Sequence, residues 1–325
     1  MQKTLILSLY AAFLLNPTLH FLCIEPDTIT FTEALDPING FVPTVKAKLL
    51  VEEQSPFQKI AVYETPCFGK MLTIDGIIQC TEYDNAAYHE MITHVPMLTH
   101  PNPKKVLIIG GGEGGALHEV LKYSSVEEVH ICDIDEIVKK VSAPYFPEFA
   151  KAYQDSRVTA VFQDGAAYIK QFTNYFDVII VDSTDFYGVA QSLLQRAFYQ
   201  SIFDALTESG IVVAQSESLY FNQDFIVTMQ KLLKTIFPIT SYYYTMMPSY
   251  PGGSIGFSLC AKQDFTIRDM PKEISDTTQY YTKSVHFCSF LLPKFLDEKL
   301  YPFMYSEENN TQDTNDDIQT TPTQA

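Results

Sequence analysis

Val106-Leu107-Ile108-Ile109-Gly110-Gly111-Gly112-Glu113-Gly114-Gly115 decides the fold. Four aliphatic residues in a row read as a short strand buried on both faces. The glycines behind them match G-x-G-x-x-G, and a helical pattern runs from Gly115 to Tyr123, so the motif sits between a strand and a helix as it must. Glycine lets a backbone approach a ligand closely, and a helix N-terminus offers free N–H groups. Alone, the loop says only nucleotide or nucleoside.

Working outward, strands and helices alternate. Strands are expected at Glu128–Cys132, Val158–Phe162, Phe176–Val181 and Gly210–Ala214. Helices are expected at Glu136–Val141, Ala166–Gln171, Ser192–Ala205 and Phe225–Ile236. Ser241–Met246 and Ile255–Ala261 close the pattern as a terminal hairpin pair. Apolar strands alternating with helices predict an α/β fold, a doubly wound, mostly parallel sheet. Upstream, residues 43–82 read as a small β-unit with an Asp75-Gly76 hairpin turn, followed by a helix over 85–98. His100-Pro101-Asn102-Pro103 breaks the chain at a domain boundary. The expected division is 1–40 irregular arm or signal, 41–100 β-domain plus helix, 101–263 catalytic domain, 264–305 surface segment and 306–325 disordered acidic tail.

At 325 residues, 46% hydrophobic and 19% charged, the composition is that of a globular protein. The formal net charge of −17 argues against a nucleic-acid surface and suits a cationic partner or plain solubility. Cysteines at 23, 67, 80, 132, 260 and 288 form no C-x-x-C pair or metal-ligand cluster and read as reduced. Residues 1–23 read two ways. Met1–Lys3 and the apolar run Thr4–Leu15 resemble a secretory signal without a clear cleavage site, or an arm packing on a partner subunit.

Acids mark the site. Asp133 ends the second strand about 20 residues past the loop, where a carboxylate can take both ribose hydroxyls. Asp135 beside it reads better as a helix cap. Asp164-Gly165 follows the third strand, and Asp182-Ser183-Thr184-Asp185 the fourth. With Glu113, four consecutive strand ends carry acids on the edge where open α/β sheets bind ligands. Independent caps are one explanation. The other is a site for a cation, because like charges in one cleft repel. Glu113 inside the glycine loop opposes a pyrophosphate and counts against a dinucleotide.

Several stretches in one order resemble the spermidine synthase family of aminopropyltransferases over roughly residues 40–263. They are Ile74-Asp75-Gly76-Ile77-Ile78-Gln79-Cys80-Thr81-Glu82, Tyr88-His89-Glu90-Met91, the run from His100 through the glycine loop, Asp182-Ser183-Thr184-Asp185 and Pro248-Ser249-Tyr250-Pro251-Gly252-Gly253. The resemblance implies a methyltransferase-like Rossmann domain. It implies a decarboxylated S-adenosylmethionine donor held by Gln58, Gly110, Gly112, Glu113, Asp133, Asp164 and Gly165. A putrescine-type acceptor would meet Tyr88, His89, Asp185 and Tyr250, with Asp182 as proton acceptor. No cofactor or metal beyond the co-substrate is implied. A homodimer or homotetramer is expected, and a cytosolic donor favours the cytoplasm.

The chain departs from the family pattern in places. Glu113 stands where Asp is usual and Asp133 where Glu is usual. Tyr83 replaces a usual Arg and Asn85 a usual Glu. Phe186 and Gly188-Val189-Ala190 replace a proline-containing turn, and Tyr220 stands where Trp is frequent. A putrescine N-methyltransferase-like enzyme and a polyamine- or nucleoside-binding homologue without catalysis are the competing functions.

Overall fold

The computed structural model describes residues 27–34, 42–183, 195–264 and 266–305. The possible signal at 1–23, Asp185, the 186–190 loop and the tail at 306–325 lie outside the described residues.

Two sheets organise the chain. The first is antiparallel, in the order β1 (Ile29–Thr32), β2 (Thr44–Gln54), β3 (Lys59–Thr65), β4 (Gly69–Ile74) and β5 (Ile77–Thr81). Asp75 and Gly76, both at positive φ, make the tight β4–β5 turn that the Asp-Gly pair predicts. One strand was not expected. Residues 24–40 read as irregular, yet β1 pairs with β2 and buries Phe31.

Helix α1 (Asn85–Thr99) leads to the second sheet, which contains β6 (Lys105–Gly110), β7 (Glu128–Asp133), β8 (Val158–Phe162), β9 (Phe176–Asp182), β10 (Leu206–Gln215), β11 (Ile239–Met246) and β12 (Ser254–Ala261). Its spatial order is β11-β12-β10-β9-β6-β7-β8. The five strands from β10 to β8 run parallel, and β11 and β12 are antiparallel, as the terminal hairpin pair predicts.

The apolar strands feed two cores. Val106, Ile108, Val178 and Ile180 pack on one face under α1 and α2 (Gly115–Leu121). Leu107, Ile109, Ile179 and Val181 pack on the other under α6 (Arg196–Ala205) and α7 (Gln223–Lys234). Successive side chains of a strand point to opposite faces, so a sheet covered on both sides needs an unbroken apolar run. Between these lie α3 (Glu136–Ser142), α4 (Pro147–Ala152) and α5 (Gly165–Tyr168).

The C-terminal stretch carries α8 (Lys272–Ser275), α9 (Lys283–Ser289) and α10 (Lys294–Leu300). It sinks Ile274, Tyr281 and Leu296 into the interior. The buried Glu90 of α1 anchors it, accepting from the backbone N–H groups of Gln279 (2.7 Å), Tyr280 (2.9 Å) and Tyr281 (2.7 Å). Among the described residues no helix is long and apolar enough to cross a membrane.

Candidate active site

From β6 the chain goes to β7 and β8 on one side, and later to β9 and β10 on the other. The strand order therefore reverses between β6 and β9, and a ligand crevice opens at their carboxyl ends. Register places Gly110 opposite Asp182 at that point. Gly110 has φ +85°, and a Cβ there would lie 2.0 Å from the Asp182 carbonyl oxygen, so glycine is required. A Cβ at Gly112 would come within 2.7 Å of Asp133 Oδ2. The bare backbone of this loop is thus what lets Asp133 and Asp182 edge the same crevice.

Three groups converge behind the loop. Ligand atoms of His89, Glu113 and Asp182 lie within 4.8 Å of one another. His89 Nε2 is 3.1 Å from Glu113 Oε1, which also accepts from the Gly115 N–H at 3.3 Å. His89 is 3% exposed, with its ring edge-on to Phe149. The set suits an ammonium, and its chemistry would also suit a divalent cation.

Asp182 is 9% exposed. Its Oδ1 accepts from the Tyr88 hydroxyl at 2.6 Å, while Oδ2 is buried with no hydrogen-bond partner among the described residues. Burial and the neighbouring Glu113 charge push this carboxyl up to about 7, against the lowering effects of His89 and the Tyr88 hydrogen bond. Burial also raises Asp133 to about 6, opposed by backbone hydrogen bonds from Asp135 and Gly112. Glu113 goes the other way. Burial would raise it, but the His89 hydrogen bond and charge hold it below the ordinary glutamate value. His89 is raised correspondingly, the pairing with Glu113 overcoming burial. Tyr88 is driven far up by burial and then by Asp182, which keeps its phenol protonated as a donor.

Of the remaining expected residues, Asp185 lies outside the described ones. Asp133 Oδ1 accepts from the Asp135 N–H at 2.8 Å. Asp135 caps α3 through Ile137 N at 3.0 Å, as its position predicts. Its other oxygen accepts from Ser55 Oγ at 2.5 Å. Ser55 also closes the β2–β3 turn on the buried Gln58, so this turn of the first sheet is fastened to the Asp133 loop. Asp164 is exposed and caps α5 through Ala166 N at 2.8 Å, and Gly165 behind it is buried. Strand pairing sets Asp133 opposite Phe162, two residues before Asp164. Tyr250 packs its ring 6.1 Å from Tyr88 and donates to the Gln79 carbonyl at 2.5 Å.

Asp84 was missed. It is buried immediately before α1 and accepts from Ser249 N (2.8 Å), Ser249 Oγ (3.0 Å) and Thr81 Oγ1 (2.6 Å). In sequence it looks like one more helix cap. Tyr153, whose hydroxyl donates to the Gly112 carbonyl at 2.8 Å, carried no signal either.

The spermine/spermidine synthase domain model matches residues 85–270. The spermidine synthase tetramerisation domain model matches residues 29–82, the span of the five-stranded sheet. The chain belongs to the spermine/spermidine synthase family. It is 41% identical over 270 residues to a polyamine aminopropyltransferase of Leptospira biflexa, covering 82% of this chain and 96% of that one. It is 43% identical over 267 residues to a spermidine synthase of Dictyostelium discoideum, covering 81% and 94%. A spermidine synthase solved in complex with the transition state analogue AdoDATO superposes with a TM-score of 0.79 at 37% identity, covering 84% of this chain and 94% of that one. This family member is a transferase.

Proposed function

We propose that the protein transfers the aminopropyl group of decarboxylated S-adenosylmethionine to putrescine, giving spermidine and methylthioadenosine. The observation that carries the mechanism is the buried Oδ2 of Asp182, without a partner among the described residues and held at the strand switch point by the Tyr88–Oδ1 hydrogen bond. The donor is a co-substrate. A neutral amine nitrogen of the acceptor attacks the carbon beside the sulfonium. The new C–N bond forms, the C–S bond breaks, and sulfur keeps the electron pair as a neutral thioether. The proton lost by nitrogen goes to Asp182 Oδ2.

The acidic crevice addresses the difficulty of that last step. A free amine titrates near ~10 and an ordinary aspartate near ~4, so full transfer would be about 8 kcal/mol uphill. With Asp182 raised to about 7, the gap falls to about three units, or ~4 kcal/mol. The bound sulfonium lowers the amine further, and also lowers Asp182, so transfer concerted with attack fits the remaining gap. The rest of the rate comes from holding two cations in line.

In this reading Asp133 and Gln58 hold the ribose side of the donor. Gly110 and Gly112 let it approach, and Asp164 with Gly165 meets the base. Glu113, steadied by His89, takes the donor ammonium. It would repel the carboxylate of ordinary S-adenosylmethionine, which disfavours a methyltransferase. Tyr88 and Tyr250 wall the acceptor channel, with Asp185 at the amine end. The non-catalytic alternative rested on the loop at 186–190, and nothing in the described geometry favours it.

Residues 29–82 support assembly into a homodimer or homotetramer through the first sheet. A cytosolic donor and the buried free thiols of Cys80, Cys132 and Cys260 support a cytoplasmic setting. Calorimetric titration with decarboxylated and with ordinary S-adenosylmethionine tests the donor assignment. The decarboxylated form is expected to bind at least about tenfold more tightly, and equal or reversed affinity would overturn the assignment of Glu113.

A further inference from the structure

Asp84 occupies the residue before α1, where an aspartate ordinarily accepts from an amide in the first turn of its own helix. It makes no such bond. Both carboxylate oxygens instead reach across the fold, Oδ2 to the Ser249 N–H and Oδ1 to the Ser249 and Thr81 hydroxyls. Asp84 is 5% exposed, so these are buried, charge-assisted bonds. Thr81 ends β5 in the first sheet, Ser249 lies in the β11–β12 turn of the second, and α1 joins the two. One side chain thus ties together three elements that meet at the crevice.

What they carry gives the tie its meaning. Tyr88 stands one turn into α1, with its hydroxyl on Asp182. Tyr250 follows Ser249 directly. Its turn bends through Gly252 (φ +76°) and Gly253 (φ +67°), and no regular strand pairing holds it. Tyr250 also fastens it to the first sheet, its hydroxyl donating to the Gln79 carbonyl and its ring packing on the core around Phe31 and Tyr63. The two tyrosine rings pack against each other, centroids 6.1 Å apart and planes tilted by 56°.

We infer that Asp84 is a positioning residue for the acceptor amine: by clamping Ser249 to the start of α1 it holds Tyr250 against Tyr88 on the wall of the channel. The inference rests on the proposed reading of that channel. Loss of the clamp frees Ser249 and with it Tyr250, whereas Glu113 and Asp133 keep their own bonds from the Gly115 and Asp135 N–H groups.

Steady-state kinetics of Asp84→Asn, Ser249→Ala and Tyr250→Ala, with putrescine and decarboxylated S-adenosylmethionine varied in turn, test it. Asp84→Asn removes the charge and replaces one of the two oxygens that three donors share with an NH2 group that cannot accept. It is expected to raise the putrescine KM at least about tenfold while the donor KM moves less than about twofold. Ser249→Ala keeps the backbone donor, loses only the hydroxyl, and should raise the putrescine KM about threefold. It provides the test if Asp84→Asn fails to fold. A purely structural role would lower thermal stability or active fraction without splitting the two KM values. Should Tyr250→Ala raise the putrescine KM while Asp84→Asn and Ser249→Ala leave it unchanged, or shift both KM values together, the positioning role is wrong and the channel reading stands. Should Tyr250→Ala leave the putrescine KM unchanged, the channel reading itself falls and the inference with it.

Discussion

Tyr88 donates its hydroxyl to Asp182 Oδ1 across 2.6 Å, and the second oxygen of the same carboxylate is buried with no partner among the described residues. One bond fixes the carboxylate's orientation, and the other oxygen remains to take a proton.

Because Asp182 must be unprotonated to accept that proton, kcat/KM should fall as pH drops through about 7. The acceptor amine titrates far higher and adds its own slope throughout. The signature is therefore an extra unit of slope in the logarithmic pH profile below about 7. A break near 4 would mean that Asp182 titrates as an ordinary aspartate.

Two substitutions should move that break in opposite directions. Tyr88→Phe removes a bond that lowers the Asp182 pKa, so the break should rise and activity lost at pH 7 should return in part near pH 9. Glu113→Gln removes the neighbouring negative charge, so the break should fall. It should also weaken donor binding about 10- to 100-fold and narrow the preference for the decarboxylated donor. Shifts of the same sign would show that the two groups do not act on Asp182 as their geometry implies.

Asp182→Asn should abolish turnover and yet stabilise the ligand-free protein at alkaline pH. The folded value of about 7 lies above the unfolded one near ~4. The stability contributed by the protonated carboxyl is thus complete below ~4 and lost as pH rises through about 7. The amide has no such loss. Thermal melts should show the variant more stable than wild type by on the order of a few kcal/mol at pH 8, with the difference vanishing below pH 4. A variant less stable than wild type at pH 8 would contradict the burial argument.

Glu90→Ala should be the costliest of the substitutions discussed here for stability. It leaves the backbone N–H groups of Gln279, Tyr280 and Tyr281 without their acceptor. A loss of at least about 3 kcal/mol is expected in denaturant unfolding. Protease sensitivity should appear first in the C-terminal stretch. A change under 1 kcal/mol would mean that this stretch docks through Tyr281 and its apolar neighbours alone.

The parallel core was legible because apolar strands and glycine or acidic strand ends are local patterns. Gly110, Asp133 and Asp182 stand out in sequence for that reason, and the fold brings the glycine loop against both acids. Residues whose meaning depends on distant partners carry no local pattern, and Tyr88 and Tyr250 entered only through the family resemblance. Asp84 looks like a cap until Ser249, 165 residues away, is beside it. Glu90 meets amides some 190 residues on. Strand β1 is four residues long, too short for its alternation to stand out from the Pro- and Thr-rich segment around it. An unperturbed aspartate titrates near ~4. Only the folded chain buries Asp182 beside Glu113, and that changes the base from one needing about 8 kcal/mol of help to one needing about half as much.

The most direct measurement is identification by mass spectrometry of the products formed from putrescine with each sulfonium donor. With decarboxylated S-adenosylmethionine, spermidine and methylthioadenosine should accumulate in equal amounts, and with ordinary S-adenosylmethionine no product should form. N-methylputrescine from the ordinary donor, or binding of the decarboxylated donor without turnover, would contradict aminopropyl transfer to Asp182-activated putrescine.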